Sequence, residues 1–305
     1  ARVPALVRTK DKQLYVEKGG KVWIVTKWIE PLKQTSKVDL HGAEQLCYGL
    51  GEFHKLSKGY VPPEGAVIAS RLYRWPKYYT KIVNKMGWFR EVAKLYKEIP
   101  ASQKLLSVID SFEQQARKAL SELEKSPYEK LVKKGEEHWG LVHQDYGWSN
   151  GQMGPGGLWV IDLDGVAYDL PIRDLRKLIT STMDDMGAWD LQWIRGMINA
   201  YHKANPIDAQ TYKILLIDMA MPNEFYKHVK EMLFDPKLFL ETEMDTVLDQ
   251  VLRTEKTKWQ ALKELHKDRK KFANKKFAKA KKGRKKLKFS TDTDGLGKPE
   301  RSREA

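Results

Sequence analysis

Residues 141 to 165 read LVHQDYGWSNGQMGPGGLWVIDLDG, and five side chains in this stretch could do chemistry: His143, Asp145, Asn150, Asp162 and Asp164. An Asp followed five residues later by an Asn, then a glycine-rich turn, then an apolar run ending in Asp, supplies what phosphoryl transfer requires. One carboxylate can orient an attacking hydroxyl and accept its proton. Hard oxygen ligands can hold Mg²⁺, which prefers carboxylates, amides, water and phosphate oxygens in octahedral geometry. In these roles Asp145 is the base or hydroxyl-positioning group, and Asn150 and Asp162 are the metal ligands. His143 holds the loop by hydrogen bonds rather than reacting. Asp164 is either an acid supporting the ligands or a further metal contact. Singly, each of these residues is as well explained by the local side-chain bonds that Asp and Asn make in turns. Their order, spacing and strand context together point to a site.

The elements that must position them follow from the same stretch. Four intervening residues let Asp145 and Asn150 face one cleft, and the turn from Gly154 to Gly157 brings the strand Leu158–Ile161 back so that Asp162 lies alongside Asn150. This is the order of a kinase catalytic loop, H-R-D-x-x-x-x-N followed by an Asp at a strand end. Just downstream, PIRDLRKL (171–178) opens a helix with Pro near its start. Asp174 falls in the first turn, where its charge suits the helix dipole, and from there it can also brace the catalytic loop. Asp169 is a turn or cap residue.

Around this hairpin the periodicity predicts a largely helical chain. Gln13–Glu17 and Lys21–Ile29 are β-branched and aromatic, joined by Lys18-Gly-Gly20, and read as a β-hairpin ended by Pro31. A helix follows with Leu40, Ala43, Cys47, Leu50 and His54 on one face, stopping near Gly59. Residues 61–76 read as loop. Helices are predicted over 77–97 and 101–125, separated at Pro100, with Leu105, Ile109, Phe112, Ala116, Ala119 and Leu123 as the apolar stripe of the second. A short helix runs to Gly135. After the hairpin come helices over 171–185, 189–203, 208–219 and 222–233, then a long charged helix from near Pro236 that frays after Lys270.

The net charge of +15 over 305 residues is unevenly placed. From residue 251 onward there are 20 Lys/Arg against 7 Asp/Glu, a net +13, which leaves 35 against 33, or +2, for the rest. The tail KKFANKKFAKAKKGRKKLKF (270–289) interleaves lysines with Phe272, Phe277 and Phe289, a composition able to contact phosphates and stack on bases. A solvated helix end, or an electrostatic anchor to an acidic protein or anionic surface, is the better explanation of it. The lone Cys47 permits no internal disulfide, points to a reducing compartment, and sits at a core position. No run approaches the ~18 apolar residues of a membrane span, and ARVPALVRTK lacks the pattern of a signal peptide.

Taken together, the catalytic stretch resembles the aminoglycoside phosphotransferase/choline kinase superfamily of protein-kinase-like folds. Within it, EFHKLSKGY (52–60), HQDYGWSN (143–150), IDLDGVAYDLPIRDLRKLI (161–179) and YHKANPID (201–208) resemble the CotS-type spore coat proteins, over residues 8 to about 275. The resemblance implies an α+β, protein-kinase-like fold of the aminoglycoside phosphotransferase type. It would have a truncated small lobe carrying a β-hairpin, a mainly helical large lobe and a basic C-terminal tail. The expected domains are a small-lobe remnant and hinge (1–31), a helical large lobe with the catalytic hairpin (32–270) and a basic, disordered tail (271–305). The resemblance assigns Asp145 as the catalytic base, Asn150 and Asp162 as metal positions, Asp174 as the loop brace, and the backbone of Trp28, Ile29 and Glu30 as the adenine-facing hinge. ATP and Mg²⁺ are the implied cofactors, a hydroxyl compound the acceptor, and spore coat proteins the partners. Synthesis in the mother-cell cytoplasm and deposition on the spore coat are implied with them. A kinase-like small lobe also needs a glycine-rich strand pair, a phosphate-binding Lys and a helix Glu. Only about twenty residues precede the hinge, Lys10 and Lys12 stand in the wrong context, and the first residue is Ala. The expectation is a chain lacking its N-terminal portion and binding nucleotide weakly. A coat scaffold without turnover is the alternative reading, and nucleic-acid binding by the tail a second.

Overall fold

The structure is a computed structural model that describes residues 2–34, 39–235 and 243–273. Most of the basic tail, residues 274–305, therefore lies outside the described residues, as does the predicted helix start at Pro236. The chain is α+β, with short strands at the N-terminus and around the catalytic stretch and helices elsewhere.

The first strands are β1 (Val16–Lys18) and β2 (Lys21–Trp23), an antiparallel hairpin turned at Gly19 and Gly20, both with positive φ. The expected second strand is shorter than its pattern suggested. Beyond Trp23 its pairing passes to another segment: Val7 N donates to Val25 O (2.8 Å) and Lys27 N to Ala5 O (2.8 Å), with Leu6 opposite Thr26. The N-terminal residues thus supply a partner that local pattern alone does not specify. After the cis bond at Glu30-Pro31 comes β3 (Lys33–Gln34).

Helix α1 (Leu40–Leu56) starts where Asp39 accepts a hydrogen bond from Gly42 N (2.7 Å), a side-chain N-cap. Its buried face holds the predicted Ala43, Cys47, Leu50 and His54, together with Leu46. Burial pushes the Cys47 thiol well up, so it is a core side chain and not a nucleophile. Helices α2 (Trp75–Leu95) and α3 (Pro100–Glu124) form an antiparallel pair. Pro stands at the first positions of both, where a missing N–H costs nothing; the first therefore begins two residues earlier than predicted. All six stripe residues of α3 are buried. Short helices α4 (Tyr128–Val132) and α5 (Glu136–Trp139) lead into β4 (Leu141–Val142).

Then come β5 (Gly151–Gly154), β6 (Gly157–Val160) and β7 (Ala167–Tyr168). The first two are antiparallel, Gly151 opposite Val160, and β3 joins them with Lys33 opposite Met153. Strand β7 pairs with β4. Helices α6 (Ile172–Met186), α7 (Leu191–Ala204), α8 (Ala209–Ala220), α9 (Asn223–Phe234) and α10 (Glu243–Asp268) complete the helical body, which ends in a 3₁₀ turn at Arg269–Phe272. Two glycines let α1 lie close to its neighbours. A Cβ on Gly49 would sit 2.0 Å from Leu158 of β6, and one on Gly51 would sit 2.8 Å from Ala204 of α7. Helix α1 is therefore held directly behind the β5–β6 hairpin.

Candidate active site

The loop His143–Asp145 is fixed from two sides. On one side the imidazole of His143 bridges the two halves of the hairpin: Asp145 N donates to Nδ1 (3.3 Å) and Nε2 donates to Ile161 O (2.9 Å). These bonds tie Asp145 to the residue preceding Asp162. On the other side the carboxylate of Asp174, on the first turn of α6, accepts from His143 N at Oδ2 (2.6 Å) and from Gln144 N at Oδ1 (3.1 Å). With those bonds Gln144 is held at φ 73°, a left-handed conformation that a non-glycine residue adopts only when its surroundings impose it.

Asp174 is itself held from behind. His54 Nε2 donates to Oδ2 (3.1 Å), and His54 Nδ1 faces the hydroxyl of Tyr201 (2.8 Å), which in turn accepts from Asn205 Nδ2 (3.0 Å). All four side chains are buried. Burial by itself would raise the Asp174 carboxyl, but the hydrogen bond and charge of His54 and the bond from His143 N hold it below the usual carboxylate range. The carboxyl is thereby held in favour of its ionised form.

Asp145 points outward, with its side chain 74% exposed. Lys177 Nζ lies 2.7 Å from Asp145 Oδ1 and also donates to Gln144 O (3.0 Å). That hydrogen bond, and then the lysine charge, lower the Asp145 pKa, so the carboxylate is ionised and available as a proton acceptor. Lys177 is absent from the residues singled out by spacing. The available signal was the R-D-L-R-K run, which sets it three residues after Asp174 and so on a neighbouring face of α6.

Asn150 is buried and donates Nδ2 to Asp145 O (2.8 Å), which leaves its amide oxygen as the atom free to meet a cation. Ile161 N donates to Asn150 O (2.9 Å), so Asn150 and the segment leading to Asp162 are adjacent by backbone pairing. Asp162 takes φ 61° at the strand end, a left-handed conformation that Asp tolerates better than most residues. An amide oxygen and carboxylates are the donor chemistry that suits Mg²⁺. Among the described residues, three ligand-type side chains come within 4.8 Å of one another at Asp184, Glu224 and His228, away from the hairpin, and the acids of the hairpin form no such group. Asp164 follows Asp162 in the exposed turn before β7.

Trp28, Ile29 and Glu30, expected from sequence to form a hinge, precede β3, which pairs directly with β5. Trp28 is 86% exposed, and its indole donates to the Glu30 carboxylate at 2.6 Å. Asp169, read from sequence as a turn or cap, is buried and accepts from Trp75 Nε1 and from Leu170 N, both at 2.7 Å.

No protein-family model matches the chain. Its architecture does match solved structures. An aminoglycoside phosphotransferase from Alicyclobacillus acidocaldarius superposes with a TM-score of 0.75 at 16% identity, over 89% of this chain and 79% of the other. The amicoumacin kinase hAmiN, solved with AMP-PNP, Ca²⁺ and Ami, gives 0.50 at 14% identity, over 87% of this chain and 75% of the other. These likenesses define the class: a protein-kinase-like fold of the aminoglycoside phosphotransferase type. In sequence, spore coat protein S of Bacillus subtilis (strain 168) is 32% identical over 175 residues, 57% of this chain, and the chain spans about half (50%) of that relative's length. The chain is thus similar in sequence to a spore coat protein over part of its length, and in fold to aminoglycoside phosphotransferases.

Proposed function

We propose that this chain carries the catalytic loop of a spore-coat-associated phosphotransferase, using ATP and Mg²⁺ and acting on a hydroxyl acceptor. One observation carries the reading: the His143–Asp145 loop is clamped by ionised Asp174 on one side and by Ile161 on the other, with an exposed, ionised Asp145 at its tip. A clamp of this kind has no purpose in a plain hairpin, and preorganised geometry is what catalysis by positioning demands.

Asn150 through its amide oxygen and Asp162 through its carboxylate would hold the cation, and the backbone of Trp28–Glu30 would face the base. When bound, the nucleotide supplies the phosphoryl group and the cation neutralises its charge. During transfer Asp145 would hold the acceptor hydroxyl and take its proton on a carboxylate oxygen, the phosphoryl group passing to that hydroxyl oxygen as its bond to the departing nucleoside diphosphate breaks. Lys177 keeps Asp145 ionised between turnovers. The name of the sequence relative supports placement on the spore coat, and coat proteins are the proposed partners. The proposed organisation is a small-lobe portion up to residue 31, a large lobe to 270, and the basic tail.

Thermal shift tests the reading. If Kd is near 1 mM, about 10 mM Mg-ATP stabilises the native state by about 1.4 kcal/mol, a rise of a few degrees in Tm. Asp162→Ala should abolish the rise, while Asp145→Asn should keep it and lower phosphoryl transfer by ~10²–10³. No rise in the unaltered chain would favour a coat scaffold without turnover.

A further inference from the structure

The start of α2, the loop before it and the start of α6 enclose an open cavity of about 1190 Å³. Arg71, Arg74, Lys77, Lys81, Lys85 and Arg173 line it, and Asp169 is the only acidic residue in its wall. Since the chain outside its last 55 residues carries only +2, this concentration of cations is local. It is not the general basicity of the protein.

The wall is also built, in a way that a solvated row of lysines is not. The Arg173 guanidinium lies 4.7 Å from the ring centroid of Tyr78 and 5.3 Å from that of Trp75. Lys85 Nζ sits 4.2 Å over Trp88. Flat aromatic faces beside fixed cations suit a ligand with both a ring and an anionic group. Asp169 is fully buried, with Oδ1 bonded to Trp75 and Leu170, whereas Oδ2 has no hydrogen-bond partner and stands 3.8 Å from Arg173 Nε. This carboxylate sits behind the wall, its Oδ2 closed to solvent and facing the Arg173 guanidinium.

One residue of the cavity wall, Arg173, lies a helical turn from the lysine that meets the catalytic loop. Arg173 and Lys177 are four residues apart on α6, hence neighbours on its surface at about 6 Å between Cβ atoms. Lys177 is the residue that touches Asp145. We infer that this cavity is the acceptor site and that the acceptor is an anionic polyol, a hydroxyl compound bearing a carboxylate or a phosphate. This rests on the phosphotransferase reading above. A polycation, the charge type of an aminoglycoside, would be repelled by the same wall. The arginines and lysines would bind the anionic group. A hydroxyl would be left to face Asp145.

Binding can be tested without nucleotide, so failure here is separable from failure of Mg-ATP binding. Saturation-transfer NMR titrations of the full chain would use glucose 6-phosphate, glucuronate, glucose and glucosamine. At least one anionic sugar should bind about tenfold or more tighter than glucose, with glucosamine weakest. Which of the two binds better distinguishes phosphate from carboxylate. Raising the salt concentration should weaken binding, because the Debye length falls to ~3 Å at 1 M. Arg74→Glu with Lys81→Glu, both at exposed positions, should cut the affinity by tenfold or more at unchanged Tm. Any of three results overturns the inference: neither anionic sugar binds up to 10 mM, glucose or glucosamine binds as tightly, or the double charge reversal changes affinity less than threefold.

Discussion

Replacing Asp174 with Ala would strip three donors of their acceptor at once: His143 N, Gln144 N and His54 Nε2. Each hydrogen bond to a charged acceptor contributes roughly 1.5–3 kcal/mol. The three share one carboxylate, so they do not add; removing one partner of a buried ion pair costs about 3–5 kcal/mol in total. Asp174 is 1% exposed, so water cannot replace the lost bonds without entering the core. The expected loss is therefore about 4 kcal/mol, a large fraction of the ~5–15 kcal/mol that holds a typical domain together. Urea denaturation followed by tryptophan fluorescence would read it, with ten tryptophans as probes. Asp174→Asn keeps one acceptor oxygen and should lose about half as much. In a double-mutant cycle, Asp174→Asn with His54→Leu should show a coupling of about 1 kcal/mol or more. The pH dependence carries a sign. The native carboxyl titrates below its ordinary value, so its contribution is present above pH ~3.9 and is lost as pH falls through the native value. The gap between wild type and Asp174→Asn should close in that acid range. A loss below 1 kcal/mol for Asp174→Ala, or strict additivity with His54→Leu, would refute the bracing role.

Lys177→Met should let the Asp145 carboxyl titrate higher, because the lysine hydrogen bond is the main cause of its low value; a ¹³C carboxyl titration that does not move would break that link. His228 Nε2 donates to Asp184 Oδ2 at 2.8 Å, and this bond is the main cause of a raised imidazole pKa. Its stabilisation is complete below the ordinary value of ~6.5 and lost as pH rises through the native one. The Tm difference between wild type and His228→Gln should shrink over that interval, and a constant difference from pH 6 to 9 would refute it.

Much of the site was legible because its geometry is local. The Asp145–Asn150 spacing, the Gly-Pro-Gly-Gly reversal and the strand to Ile161 lie within one hairpin, where side chains are placed by register and turn type. His143 bonding Ile161 follows from the same closeness. Helix starts were legible for a similar reason: Asp39, Asp190 and Asp208 cap helices with their own side chains, a choice made within three residues. The extent of the second strand was less so. Val25 and Lys27 find their partners at Val7 and Ala5, a segment with no alternation to announce it.

Residue types and spacing alone determined the order of the candidate-site hairpin, the faces of the helices and the concentration of charge in the last 55 residues. Only the tertiary structure decided that His54 on α1, Asp174 on α6 and Tyr201 on α7 share one buried network, with partners 120 and 147 residues apart. It also decided that Lys177 meets Asp145, and that cations of α2 and α6 wall a single cavity. A helical pattern states which face is buried but not which helix covers it. That is settled by how the helices pack, here with glycines at 49 and 51 drawing α1 against the hairpin and α7.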